Sequence, residues 1–149
     1  MWSGIIVSVV LVTATLYMHF RLMRACAHLV FEDSGRFRRP VLLVMAILFS
    51  AHVLQVVMYT WAYMFMESVL GAGALTSVRG ERDGFWDIFY FSIASYSTLG
   101  IGDIVPQGPM RIVAGIESLN GLVLIAWSSS FTYLAMEKTW GKDGLKPSE

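Results

Sequence analysis

Three long stretches of this chain contain almost no charged side chains, and this pattern limits its fold more than any other feature. Residues 2–20 and 40–66 contain no Asp, Glu, Lys or Arg, and residues 112–136 contain one, Glu117. A helix needs about 20 mostly apolar residues to cross a bilayer. We therefore predict three transmembrane helices. Of the 149 residues, 56% are hydrophobic and 15% are charged, whereas soluble domains have about 25% charged residues, so a water-soluble enzyme is disfavoured.

The first stretch has two interpretations, a cleaved signal peptide or a retained helix. A signal peptide has a basic start and an apolar core of about 7–15 residues. Residues 1–4 contain no basic residue, and the apolar run is longer than such a core. We therefore predict a retained transmembrane helix over residues 1–29.

The distribution of Lys and Arg predicts the orientation of the helices. Five arginines lie between the first and second helices, three lysines lie in residues 138–146, and three arginines lie between the second and third helices. Loops rich in Lys and Arg stay in the cytoplasm. We predict an external N-terminus, a cytoplasmic basic loop at residues 30–39 and a cytoplasmic tail at residues 140–149, in the plasma membrane of a prokaryote. The loop arginines set this topology and are compatible with contact to lipid headgroups.

A short aromatic run lies between the second and third helices. Residues 85–97 are apolar but too few to cross a bilayer, and a run of this length fits a re-entrant element. The turn-rich residues 68–84 precede it and predict an exposed loop. Asp87 in the first turn suits the start of a helix.

The sequence TLGIGD follows at residues 98–103, which we call the filter segment. Two glycines separated by one residue favour an irregular backbone. Such backbone persists at membrane depth only where it is buried in protein or lines a water-filled path. Four such segments around an axis would stack rings of carbonyl oxygens that replace the hydration shell of a cation. Because the chain has a single such motif, this interpretation requires a homotetramer.

Residues 40–136 resemble the pore of potassium channels, whose filter has the core Thr-Val-Gly-Tyr-Gly-Asp. The resemblance implies an all-α membrane protein in which a tetrameric pore domain, residues 40–139, follows the extra first helix. That helix would pack outside the pore as a scaffold. The pore domain would contain an outer helix (40–67), a turret (68–84), a pore helix (85–97), the filter (98–103) and an inner helix (110–139).

The resemblance also implies a role for each filter residue. The carbonyls of Thr98, Leu99, Gly100 and Ile101, with the Thr98 hydroxyl, would bind K⁺, and Gly102 would complete the turn. Asp103 would support the filter from behind, and Tyr90 and Phe91 would brace its diameter.

Two positions depart from the family pattern. Ile101 stands where the family prefers an aromatic residue, and Ala94 stands where some members have a Glu that pairs with the filter Asp. Both departures weaken the bracing of the filter. The main hypothesis is therefore a K⁺ channel. The alternatives are a weakly selective Na⁺/K⁺ channel of the same build and a non-conducting membrane scaffold.

The inner helix contains a small residue and a polar face. The resemblance implies that Gly121 is a gating hinge, and close packing against a neighbouring helix is an equal alternative. Hydroxyls in this helix either line a water-filled cavity or bond to carbonyls of their own helix. Helical spacing from Gly121 predicts that the face lining the cavity contains Leu122, Ile125, Ser129, Thr132 and Tyr133.

Glu117 and a few other polar residues stand inside the apolar spans. Carboxylates in the membrane are costly and are candidates for function. We expect Glu117 to support the filter by bonding hydroxyls of the pore helix such as those of Ser92 and Ser95, with a protonation switch as the alternative. For His19, His52 and Gln55 we expect hydrogen bonds between helices, with metal binding or pH sensing as the alternative.

Several other functions lack sequence support. The net charge is zero, so binding of nucleic acid is not expected. The single cysteine, Cys26, excludes an intrachain disulfide. The chain has no nucleotide motif, catalytic triad or arginine-patterned voltage sensor, so we expect no enzyme activity and no cofactor. The expected ligands are K⁺ and membrane lipids, and the sequence does not identify the gating stimulus.

Overall fold

The computed structural model describes residues 1–31, 40–78, 80 and 84–140. Most of the predicted basic loop, the tail and part of the turret lie outside these residues. The described chain forms α1 (Trp2–Phe31), α2 (Pro40–Ser68), α3 (Gly84–Tyr96) and α4 (Met110–Trp140). Within it, three helices are long and apolar enough to cross a membrane, namely α1, α2 and α4. The prediction of a mainly helical membrane protein with three spans is confirmed.

The helix ends follow from local sequence. Pro40 occupies the first position of α2, where its missing N–H costs nothing. Asp87 lies in the first turn of α3 and Lys138 in the last turn of α4. A negative charge near the start of a helix and a positive charge near its end both interact favourably with the helix dipole. The short helix α3 begins and ends one residue earlier than the sequence predicts, a difference common at helix ends.

The first helix runs parallel to α4 and packs against both α2 and α4. Gly4 lies against the backbone of Pro109 at one end. Further along, Asn120 of α4 donates a hydrogen bond of 2.9 Å to the hydroxyl of Thr15. The N-terminus therefore lies on the same side as the start of α4. This arrangement places α1 in the packed bundle, where it contributes buried polar side chains.

Two apolar clusters hold the helices together. One lies around the start of α4 and contains Tyr63, Phe91 and Met110. The other lies near the end of α1 and contains Cys26 and Leu48. Burial of apolar area contributes about 25 cal/mol per Å² in water, but helices in lipid gain mainly from close packing.

A pair of short strands, which the sequence analysis does not predict, joins the turret to the segment after the filter. Strand β1 (Leu75–Ser77) pairs in antiparallel register with β2 (Ile104–Pro106), so that Thr76 lies opposite Val105. Three-residue strands are too short to show the alternating pattern by which strands are predicted. The pair fixes the outer end of the filter segment to its own chain.

Candidate functional site

The filter segment has a backbone that neither a helix nor a strand uses. The φ angles of Thr98, Gly100 and Gly102 are 61°, 55° and 84°, whereas Leu99 and Ile101 have negative φ. Glycine adopts positive φ without steric cost, but a β-branched residue such as Thr98 is strained there. Strain of this kind is concentrated at functional sites.

Hydrogen bonds from α3 orient the first part of this segment. The amides of Leu99 and Gly100 both donate to the carbonyl of Ala94, at 2.8 and 3.1 Å. In a trans peptide the carbonyl points opposite to the N–H of the same unit. The carbonyls of Thr98 and Leu99 therefore both point away from α3. An extended strand would turn successive carbonyls to opposite sides, so this arrangement is specific to the segment.

Asp103 holds the outer end of the segment. Its carboxylate accepts a hydrogen bond of 3.0 Å from the Tyr90 hydroxyl and one of 3.0 Å from the amide of Ile104. Its backbone carbonyl accepts a bond of 2.8 Å from the amide of Val78 in the turret. Phe91, adjacent to Tyr90, packs edge-on against the ring of Tyr63 with the ring centroids 5.4 Å apart.

A hollow lies beside the filter segment, where the sequence departs from the family pattern. The cavity measures about 480 Å³ and is bounded by Ala94, Ile101, Ala114 and Gly115 among others. The side chain of Ile101 is 51% exposed. Ala94, Ala114 and Gly115 therefore leave open space beside Ile101, the position at which the resemblance implies an aromatic brace, and Phe91 and Ile104 also border this space.

Glu117 is fully buried at the junction of three helices. Its Oε1 lies 2.6 Å from the hydroxyl of Ser92 in α3, and its Oε2 accepts a bond of 2.5 Å from the hydroxyl of Tyr63 in α2. The expected bond between Glu117 and Ser92 is thus present. Ser95 instead accepts a bond of 2.7 Å at its carbonyl from the hydroxyl of Ser118.

Gly121 lies against the end of α3. A Cβ at this position would overlap the carbonyl of Tyr96 and touch its ring. The structure shows the close packing expected of Gly121, which is compatible with a hinge at the same residue, and the packed neighbour is α3 of the same chain. At Gly115, one and a half turns earlier in α4, a Cβ would meet nothing within 4 Å.

A second and larger cavity, the inner cavity, lies between α2, α3 and α4 and measures about 680 Å³. Its lining includes four of the five predicted residues of α4, Ile125, Ser129, Thr132 and Tyr133. The fifth, Leu122, lies three residues before Ile125, is exposed and does not line the cavity. The hydroxyls of Ser129 and Thr132 bond to carbonyls of their own helix, as one of the two interpretations expects.

Five polar side chains form a closed ring of hydrogen bonds, the polar ring, beside the end of α3. His52 lies 2.8 Å from the Tyr96 hydroxyl through Nδ1 and 3.0 Å from the Ser128 hydroxyl through Nε2. The Ser128 hydroxyl lies 2.9 Å from Nε2 of His19, and Nδ1 of His19 lies 3.1 Å from Nε2 of Gln55. The Tyr96 hydroxyl bonds to Oε1 of Gln55 and closes the ring. The expected interhelical bonds of both histidines and Gln55 are confirmed, and the ring joins all four helices.

Several of these partners were missed by the sequence analysis. Tyr63, Tyr96 and Ser128 each complete a buried hydrogen-bond network. A usable signal was the helical spacing of polar residues within apolar spans. In α4, the residues Glu117, Asn120, Gly121 and Ser128 follow steps of three, one and seven, which place them along one face.

Among the described residues, no three His, Cys, Asp or Glu side chains come together as metal ligands. The oxygen-rich group that suits a dehydrated monovalent cation is the set of backbone carbonyls in the filter segment. Comparison with known proteins identifies a family for this chain. A family model described as "Ion channel" matches residues 42–138, more than half of the chain. The comparisons with curated proteins and with solved structures find no match.

Proposed function

This chain belongs to the ion channel family, and we propose that it forms a homotetrameric channel that passes K⁺ passively across the prokaryotic plasma membrane. In this proposal, four filter segments surround one axis. The carbonyls of residues 98–101 coordinate dehydrated K⁺, and the Thr98 hydroxyl adds a further oxygen at the inner end. The N-terminus lies outside and the C-terminus in the cytoplasm.

The observation that supports this proposal best is the direction of the Thr98 and Leu99 carbonyls. Both point away from α3 because the two amides that follow them bond to Ala94. Within the described part of the chain, no backbone donor bonds to these two carbonyls, and exposed polar groups at membrane depth are costly. A cation on the axis of an assembled pore supplies the missing partner.

The same geometry explains the support around the filter. Tyr90 and the turret bond to Asp103 at the outer end. Glu117 bonds to α3, from which the filter segment begins. On the inner side, Ser129 and Thr132 would face water in the pore. Gly121 would allow α3 to approach α4 closely, and any hinge motion at Gly121 would begin from this contact.

Weak selectivity between Na⁺ and K⁺ is the second candidate. It is favoured by the hollow beside Ile101 and Ala94, because a filter without a rigid brace adapts to ions of different size. Both candidates have the same ion path, and they differ only in the rigidity of the filter segment.

The decisive experiment is the reversal potential of the full-length protein in planar bilayers under a K⁺/Na⁺ gradient. A potential near that of K⁺ and block by barium support a K⁺ channel, and a potential near zero supports the weakly selective alternative. Gly100→Ala should abolish the current, since its φ of 55° is strained for any residue with a Cβ. Gly71→Ala is the matched control and should conduct, because Gly71 has the same φ of 55° in the turret and no atom lies within 4 Å of its Cβ position. If a verified tetramer passes no ions, both channel hypotheses are wrong and the hypothesis of a non-conducting scaffold remains.

A further inference from the structure

The polar ring described above contains as many hydrogens as it has contacts only when both histidines are neutral. The Tyr96 hydroxyl, one N–H of Gln55, the Ser128 hydroxyl and one N–H of each imidazole supply one hydrogen each. Both ring nitrogens of His19 and of His52 make a contact in the ring, so each neutral imidazole donates through one nitrogen and accepts through the other. Each member donates once and accepts once.

The direction of the bonds follows from the Gln55 amide. Tyr96 donates to Oε1 of Gln55, and Nε2 of Gln55 donates to Nδ1 of His19. His19 then donates through Nε2 to Ser128, Ser128 donates to Nε2 of His52, and His52 donates through Nδ1 to Tyr96. Turning the amide over reverses every bond and leaves the same number of hydrogens.

A proton added to either imidazole makes it a donor at both nitrogens. Six hydrogens then share five contacts, so two donors face each other at one contact. The rings of His19 and His52 lie 5.1 Å apart between centroids, so a charge on one also opposes a charge on the other. Protonation therefore opens the ring at one or more contacts.

The ring is connected both to the filter and to the inner cavity. Tyr96 is the last residue of α3, two positions before Thr98, and its carbonyl is packed against Gly121. His52 is half-buried and lines the inner cavity together with Ser128. A proton that entered that cavity would meet His52 first, since His19 does not line the cavity and is fully buried.

Other titratable groups lie around the two histidines. They are Tyr96 of α3, Tyr59 of α2 and Glu117 of α4. Tyr59 accepts a bond from Asn120, and Glu117 is bonded in its own network. Among the described residues, Glu117 is the one buried residue of a type charged at neutral pH. Its response to pH must therefore be separated from that of the ring by experiment.

We propose that His19 and His52 are positioning residues that hold the inner end of the filter through Tyr96 while both are neutral. Acidification of the inner cavity opens the polar ring and reduces K⁺ conduction. The first helix, which supplies His19, thus takes part in control of the ion path. This inference rests on the proposed channel function and assigns a proton as the regulatory ligand.

The test measures K⁺ current of the full-length tetramer in planar bilayers. The pH on the side of the inner cavity is varied from about 8 to about 4, a range that includes the titration of free imidazole and extends below it. We expect the wild-type current to fall by about fivefold, which corresponds to the loss of one net hydrogen bond. The double variant His19→Gln/His52→Gln keeps neutral donors and acceptors and should conduct with a flat pH profile. Glu117 remains intact in this variant, so a flat profile assigns the response to the ring.

His28→Gln is the matched control on α1, because His28 lies outside the ring, and it should keep the wild-type pH profile. If the double variant does not assemble, Tyr96→Phe breaks both ring bonds next to the filter, and we expect lower current at neutral pH without further loss in acid. A wild-type K⁺ current that does not change with pH overturns the inference while the channel function stands. A double variant that retains the pH response also overturns it, and absence of current at every pH overturns the channel function and this inference together.

Discussion

The hydroxyl of Ser92 lies 2.6 Å from Oε1 of Glu117. It also lies 3.1 Å from the carbonyl of Val56. One hydroxyl hydrogen serves one of these acceptors fully, and Tyr63 already donates to the other carboxylate oxygen. The hydrogens match the acceptors if Glu117 is protonated and donates to Ser92, which in turn donates to Val56. A neutral acid also avoids the cost of a buried charge without a counter-ion.

Glu117→Gln should therefore preserve the stability of the assembled protein. The Gln amide donates to Ser92 and accepts from Tyr63, as the neutral acid does. Glu117→Ala removes both bonds and should reduce the free energy of unfolding by about 1–3 kcal/mol for the partners left without bonds. Thermal unfolding in detergent measures both variants. If Glu117→Gln were as unstable as Glu117→Ala, we would conclude that the carboxylate is charged in the wild type. In a separate measurement, a current and pH profile of Glu117→Gln equal to those of the wild type would exclude a protonation switch at Glu117.

Tyr90→Phe removes the hydroxyl that bonds to Asp103 and leaves the aromatic ring in place. We expect faster decay of the K⁺ current and a lower K⁺/Na⁺ permeability ratio, because the outer end of the filter loses one of its supports. Tyr17→Phe on α1 is the control, since the Tyr17 hydroxyl accepts a bond from Arg21 at an exposed position. Current decay and selectivity equal to those of the wild type would show that the Tyr90 hydroxyl does not hold the filter.

Gly121→Ala should destabilise the protein by about 1–3 kcal/mol, the usual cost of forcing extra volume into a packed site. The new methyl group would displace Tyr96, so we also expect a reduced current. Gly115→Ala adds the same methyl group to the same helix where no atom lies within 4 Å. Thermal unfolding of both variants tests whether the loss of stability comes from the packed site at Gly121 or from replacing any glycine in α4. Equal stability of the two variants would contradict the packing role.

Val78→Pro removes the amide that bonds to the carbonyl of Asp103. The Val78 side chain is exposed, so the lost N–H is the main change. We expect a larger fraction of non-selective current, since the turret no longer holds the end of the filter segment. Val78→Ala keeps the amide and should conduct as the wild type does. A selective current in Val78→Pro would show that the strand pair alone is sufficient.

The elements of the pore could be predicted because their signals are local. Absence of charge marks the spans, and the spacing of Gly100 and Gly102 marks the irregular backbone. The polar ring could not be predicted in the same way, because its members meet only when α1 lies in the correct register beside α4. His19 and Ser128 are far apart in sequence, and no local pattern states that they face each other. Strand β1 was missed for a related reason, because it forms only by pairing with β2, which is distant in sequence.

The filter segment is tied at both ends to its own chain, to Ala94 at the inner end and to Tyr90 and the turret at the outer end. In the proposed tetramer, each subunit would therefore shape its quarter of the ion path before it meets another subunit. Oligomerisation then becomes the docking of preformed surfaces, and the entropy of ordering the loop is lost during folding of the monomer and not on association. A mixed assembly with one defective subunit would retain three intact quarters around a single local fault.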